Sequence, residues 1–161
     1  MMQTFEEREP NIRWALSKAN LQEEGRILDI GTGRGWMAAS LAKMDYKVVT
    51  IEERAEFQAG AKELAQKLGV DENIEFKLGS VASLSPDDES FDGVVSYNTL
   101  HHTADIESAI EKIIKLCKKG GKILIVELNK AGIEMISKRH AGHTHRLVDP
   151  SPVLKKLGVD F

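Results

Sequence analysis

Apolar runs of strand length alternate along this chain with stretches whose apolar positions recur at helical spacing. This is the pattern of a parallel sheet joined by crossover helices. Arg26–Ile30, the β-branched Lys47–Ile51, Ile74–Leu78, Asp92–Tyr97 and Lys122–Leu128 read as five strands. Between them Gly35–Met44, Ala55–Leu68 and Ile106–Lys118 read as helices, with Gly69 as a left-handed cap on the second and Gly120-Gly121 stopping the third. An opening helix is expected to start near Pro10, a residue tolerated in a first turn, and to carry Ile12, Trp14, Leu16 and Ala19 toward the Leu21 region. The pattern loosens after the fifth strand. Gly132–Arg139 reads as a short helix with Ile133 and Ile136 inward; Ser151-Pro152 reads as an N-cap followed by proline at the first helical position. Val153, Leu154 and Leu157 then form one apolar face, Gly158 a stop, and Val159-Asp160-Phe161 the start of a further strand. No repeat, low-complexity tract or linker interrupts the sequence, so a single domain over residues 1–161 is expected.

Composition narrows the function classes. A length of 161 residues suits one compact domain with a real core. The formal net charge is −3, from 22 basic and 25 acidic side chains. With no overall positive field and no long Lys/Arg run, a nucleic-acid substrate is disfavoured. No apolar run approaches the roughly 20 residues that span a bilayer. The opening Met1-Met2-Gln3-Thr4-Phe5-Glu6-Glu7 is acidic and lacks the apolar stretch of a signal peptide, so no membrane partner and a cytoplasmic location are expected. The single cysteine, Cys117, fits a reducing compartment. It shares a helical face with Ile110, Ile113 and Ile114, which makes it a packed core thiol rather than a nucleophile.

The densest chemistry lies in Ile27-Leu28-Asp29-Ile30-Gly31-Thr32-Gly33-Arg34-Gly35-Trp36, where a buried strand runs through a glycine-rich turn into a helix. Glycines admit a ligand close to the main chain, and free N–H groups at a helix start suit an anionic group. A dinucleotide fingerprint needs G-x-G-x-x-G; counted from Gly31, its last glycine falls at Trp36. What stands here is Asp-x-Gly-x-Gly-x-Gly, with the acid inside the strand end. Asp29 would repel a pyrophosphate, yet it can help hold an ammonium, directly or through water. S-adenosylmethionine carries an ammonium and a carboxylate at one end and no phosphate, so the turn favours that ligand on charge and on pattern. Glu52, at the tip of the second strand, is placed to accept hydrogen bonds from both ribose hydroxyls, with Glu53 as the fallback. The plain alternative is that both acids are solvated charges opening a helix.

From Ile27 to Leu128 the sequence resembles the class I S-adenosylmethionine-dependent methyltransferases. The likeness rests on Asp29–Gly35, Glu52, Gly79-Ser80-Val81, Ser90-Phe91-Asp92, Asn98-Thr99-Leu100-His101-His102 and Gly120-Gly121-Lys122-Ile123-Leu124-Ile125. Its closest flavour is the small-molecule, quinone-biosynthesis-like group. The resemblance implies an α/β, Rossmann-like open sheet, mostly parallel, with helices on both faces and five core strands. It implies that Gly31 and Gly33 contact the methionine end of the cofactor, Glu52 its ribose, Ser80 and Val81 its adenine, and Asn98, through backbone atoms, its ammonium. Asp92 reads as structural. The family usually has an aspartate where Ser80 stands, so weaker adenine discrimination is expected. The family sheet also continues for two strands beyond the fifth. Their absence implies either a truncated chain or a reduced member whose fifth strand sits near an edge, and an exposed edge invites a homodimer.

The acceptor is read as a small molecule. Residues just after the fourth strand, Tyr97, Asn98, His101 and His102, face the carboxyl edge where open α/β sheets bind ligands. His101 and His102 are the candidate catalytic bases; otherwise the pair caps or packs the next helix. No Asn-Pro-Pro-Tyr-like string follows the strand, which disfavours nucleic-acid amines as acceptors. His140, His143 and His145 are of a type that holds zinc or nickel, but no Cys or clear carboxylate joins them, so substrate contact or a polar loop is preferred and no metal site is assigned. A methyltransferase-like binding subunit that needs a partner for catalysis is the competing function.

Overall fold

The computed structural model describes residues 3–85, 90–139 and 147–159. The described residues form six α-helices, α1 (Phe5–Ala19), α2 (Trp36–Ala42), α3 (Ala55–Leu68), α4 (Ile106–Leu116), α5 (Lys130–Arg139) and α6 (Ser151–Lys156). They also form five strands, β1 (Arg26–Ile30), β2 (Lys47–Glu52), β3 (Ile74–Leu78), β4 (Phe91–Tyr97) and β5 (Cys117–Val126). All neighbours pair in parallel, in the order β3-β2-β1-β4-β5. Two-residue alternation along the central strands feeds two apolar layers. Ile27, Val48 and Val95 pack with Ile12 and Leu16 of α1 and with Met37 and Leu41 of α2. Leu28, Val49 and Val94 pack with Ile110, Ile113 and Leu116 of α4 and with Leu154 of α6. The expected open parallel sheet, covered on both faces and carrying five strands, is the architecture observed.

Several boundaries differ from the sequence reading, each for a local reason. Helix α1 starts five residues before Pro10, at a capping box: the Thr4 hydroxyl accepts from the Glu7 N–H at 3.3 Å and the Glu7 carboxylate accepts from the Thr4 N–H at 2.9 Å. Trp14, though apolar, is 66% exposed, because the buried face of α1 runs through Phe5, Ile12, Ala15 and Leu16. Cys117 lies just past α4, as the first residue of β5, half-buried against the same core. Burial, followed by the nearby Asp92 charge, pushes its thiol pKa up, away from nucleophilic character.

Strand β5 pairs Cys117 with Phe91 and then Lys122 with Gly93, so residues 118–121 form a bulge in which Gly120 takes a φ of +82°. Asp92 ties this corner together. Its Oδ2 accepts from the Arg26 N–H at 2.8 Å and its Oδ1 meets Lys118 Nζ at 2.6 Å. These bonds, Lys118 foremost, hold its carboxyl below the usual range, in keeping with a structural part. Leu154 of α6 is buried while Leu157, just past the helix, is exposed at 36%, and Val159 belongs to no strand. The Ile136 side chain and His140, His143 and His145 lie outside the described residues.

Candidate cofactor site at the sheet switch point

Strand order reverses between β1 and β4, and the crevice at the carboxyl ends of these two strands is where open α/β sheets take ligands. The turn after β1 curls over the end of β2: the N–H groups of Gly31 and Thr32 both donate to the Ile51 carbonyl, at 3.0 and 3.1 Å. Gly31, Gly33 and Gly35 have φ of +81°, +50° and +77°. They are small for three different reasons. A Cβ on Gly31 would sit 2.3 Å from Thr99 Oγ1, so the turn touches the loop after β4. A Cβ on Gly35 would sit 2.7 Å from that of Ala61, so α2 lies close to α3. A Cβ on Gly33 would meet nothing nearer than the Gly31 carbonyl oxygen at 3.9 Å, so this position faces open space.

That open space is a groove of two adjoining cavities that share Gly31, Thr99 and His102 in their walls. The smaller, 320 Å³, is lined by Gly33, Arg34, Glu52, Tyr97 and Asn98 among others. The larger, 480 Å³, lies beside Ile51, Glu53, Gly79, Ser80, Val81 and Asp105. Of the residues expected to meet the cofactor, Gly31, Gly33, Glu52, Ser80, Val81 and Asn98 therefore line one connected groove. Glu52 is 8% exposed and bends back to the turn, its Oε2 accepting from the Gly33 N–H at 2.9 Å and its Oε1 from the Arg54 N–H at 3.1 Å. Glu53 is exposed and lines only the larger cavity.

Asp29 is placed differently. It is fully buried beneath the turn and lines neither cavity. Its Oδ2 accepts from the Thr50 hydroxyl at 2.8 Å; Thr50 in turn accepts from the Thr32 hydroxyl at 2.6 Å. Its Oδ1 has no hydrogen-bond partner among the described residues. Burial pushes its pKa up to about 7, against the Thr50 bond and with help from the Glu52 charge. A buried acid with an orphaned oxygen directly under a glycine turn is a group that lacks a donor or a cation.

The loop after β4 holds the candidate bases. Asn98 takes a left-handed φ of +53° and its N–H donates to the Val126 carbonyl at 2.7 Å. The two histidines separate: His102 is exposed and lines both cavities, whereas His101 is 7% exposed and lines neither. Their rings lie 4.1 Å apart. His101 Nδ1 meets Glu127 Oε2 at 2.7 Å, and Glu127 Oε1 accepts from the N–H groups of Thr99 at 2.9 Å and Leu100 at 2.7 Å. The sequence reading passed over Glu127 because it ran the last strand on to Leu128. An acid directly following the apolar run Ile123–Val126 stands at a strand tip, as Glu52 does, and that was the available signal.

Residues 28–125 match the methyltransferase domain family. The chain is 30% identical over 86% of its length to an uncharacterized methyltransferase of Bacillus subtilis, YcgJ, covering 54% of that protein. The YcgJ crystal structure superposes with a TM-score of 0.74 over 91% of this chain and 67% of that one, at 24% identity. A ubiquinone biosynthesis O-methyltransferase of Chelativorans is 30% identical over 65% of the chain, which covers 41% of that protein. A methyltransferase of Thiobacillus denitrificans, solved with S-adenosylhomocysteine, shares the fold at a TM-score of 0.63 over 72% of this chain and 47% of that one, at 24% identity. The chain thus spans about half the length of the curated relatives it matches.

Proposed function

The chain belongs to the methyltransferase domain family that its residues 28–125 match, and from that premise we propose that it transfers the methyl group of S-adenosylmethionine to a small-molecule acceptor. One observation carries the proposal. The acid–glycine turn, the strand-tip Glu52 and the Ser80-Val81 segment line or underlie one groove at the switch point, although they are spread over more than fifty residues of sequence. That S-adenosylhomocysteine occupies the fold-sharing Thiobacillus protein supports the ligand.

In this proposal Gly33, Glu52 and Asn98 bound the methionine and ribose end, and Ser80 and Val81 the adenine end. Asp29 supplies negative charge from below the turn, where a cationic ammonium relieves the cost of its burial. The cofactor supplies an electrophilic methyl group on a sulfonium. The protein's share is alignment of the acceptor, a contribution of roughly 7–11 kcal/mol when orientation is good. His102, on the wall common to both cavities, is the residue positioned to take a proton from an acceptor O–H or N–H. His101 stands behind it, in ring contact and tied to Glu127. The quinone-pathway relative supports phenolic acceptors as the first class to assay.

Transfer of labelled methyl from S-adenosylmethionine to a panel of phenols and small amines tests this. Labelled product is expected with the wild-type chain and a large loss with His102→Ala. Full turnover in both His101→Ala and His102→Ala would remove the histidines from the chemistry.

A further inference from the structure

We infer that Glu127 is the positioning residue of this site, a single carboxylate that pins the loop after β4 and sets which nitrogen of His101 carries the proton. The inference deepens the function proposed above and rests on it for its catalytic meaning. Glu127 follows β5 directly, with its side chain 6% exposed, and its two oxygens divide their work. Oε1 accepts two backbone N–H groups, from Thr99 and Leu100, within one turn of the left-handed Asn98. These residues surround the point where Gly31 presses on Thr99 and where the two cavities join, so the carboxylate fixes the floor of the groove from behind. Oε2 meets His101 Nδ1 at 2.7 Å.

An ionised carboxylate only accepts, so Nδ1 must donate. In the neutral ring, the lone pair then resides on Nε2. A carboxylate orienting an imidazole in this way selects its tautomer and its orientation, which is how ligand and catalytic histidines are poised elsewhere.

A substitution separates the two roles. In Glu127→Gln the amide oxygen is held by the two backbone N–H donors, because an amide NH₂ turned toward them would place donors against donors. The NH₂ then faces His101, and Nδ1 must become the acceptor. The tautomer is forced over to Nε2–H while the loop keeps its anchor. Glu127→Ala removes both.

Ring nitrogen chemical shifts of the ligand-free protein read the tautomer, with His101 assigned by its absence in His101→Gln. The wild type is expected to show Nδ1–H and Glu127→Gln to show Nε2–H. Calorimetric titration with S-adenosylhomocysteine reads the loop. Glu127→Gln is expected to bind within about twofold of wild type, and Glu127→Ala more weakly by about tenfold or more, the scale of losing charge-assisted hydrogen bonds. An Nε2–H tautomer in the wild type, or no change of tautomer in Glu127→Gln, overturns the inference, as does wild-type affinity in Glu127→Ala. An Nδ1–H tautomer in the wild type that moves to Nε2–H in Glu127→Gln, with no binding of S-adenosylhomocysteine by the wild type, instead overturns the proposed function and leaves the assignment of Glu127 to His101 standing.

Discussion

Asp29 has a buried carboxyl whose pKa sits near 7, and this has a consequence for stability. The native value is raised above the unfolded value of about 3.9 by burial first and the Glu52 charge second. Protonated Asp29 is therefore favoured in the folded protein. The associated stability is fully present below about pH 4 and is lost as pH rises through about 7. Asp29→Asn cannot ionise. Its unfolding free energy relative to wild type should increase from pH 5 to pH 8 in denaturant titrations of the ligand-free protein; parallel pH profiles would count against the burial of a charge there. The same variant should bind S-adenosylhomocysteine more weakly, because the ammonium loses its counter-charge. Gly31 makes the complementary case on steric grounds. Gly31→Ala brings a Cβ within 2.3 Å of Thr99 Oγ1 at a φ of +81°, and strain of this kind costs on the order of 1–3 kcal/mol. Thermal unfolding should show the drop, and a melting temperature equal to wild type would contradict the close approach of turn and loop.

At the scale of elements, short-range signals were readable and long-range ones were not. The spans Arg26–Ile30, Ala55–Leu68 and Ile74–Leu78 appear as the apolar pattern implies, because each is bounded by turn or capping chemistry in its own sequence. The start of α1 was equally local, since Thr4 and Glu7 stand at capping-box spacing, but Pro10 outweighed them in the reading. Thr4→Ala should destabilise the protein by about 1 kcal/mol, measured by denaturant unfolding. No change would mean that α1 is held by its packing alone. Ile12 and Leu16 of α1 are buried, but Trp14, an apolar residue of the same helix, is exposed, because the outcome there depends on how α1 seats on α2 and β5. The bulge at residues 118–121 likewise depends on Asp92 reaching both Arg26 and Lys118 across three strands.

Taken as a whole, the molecule assembles its site through topology. Gly31 and Glu52 were singled out on motif and register, Ser80 and Asn98 through the family resemblance, and the parallel order β3-β2-β1-β4-β5 carries all four strand ends to the same edge of the sheet. Glu127 belongs to the same set by position, but its partners Thr99, Leu100 and His101 are distant in sequence, and no local pattern announces them. The distinction between His101 and His102 also emerges only from three dimensions, since adjacent residues in a short 3₁₀ turn point to different surroundings. In the proposed function, this edge holds S-adenosylmethionine through an ammonium-directed turn. Calorimetric titration of the wild-type chain with S-adenosylhomocysteine, run beside NAD, tests it most directly. Saturable one-to-one binding of S-adenosylhomocysteine, lost in Glu52→Ala and absent for NAD, is the predicted result; binding of NAD in preference, or binding of S-adenosylhomocysteine that is indifferent to Glu52, would contradict it.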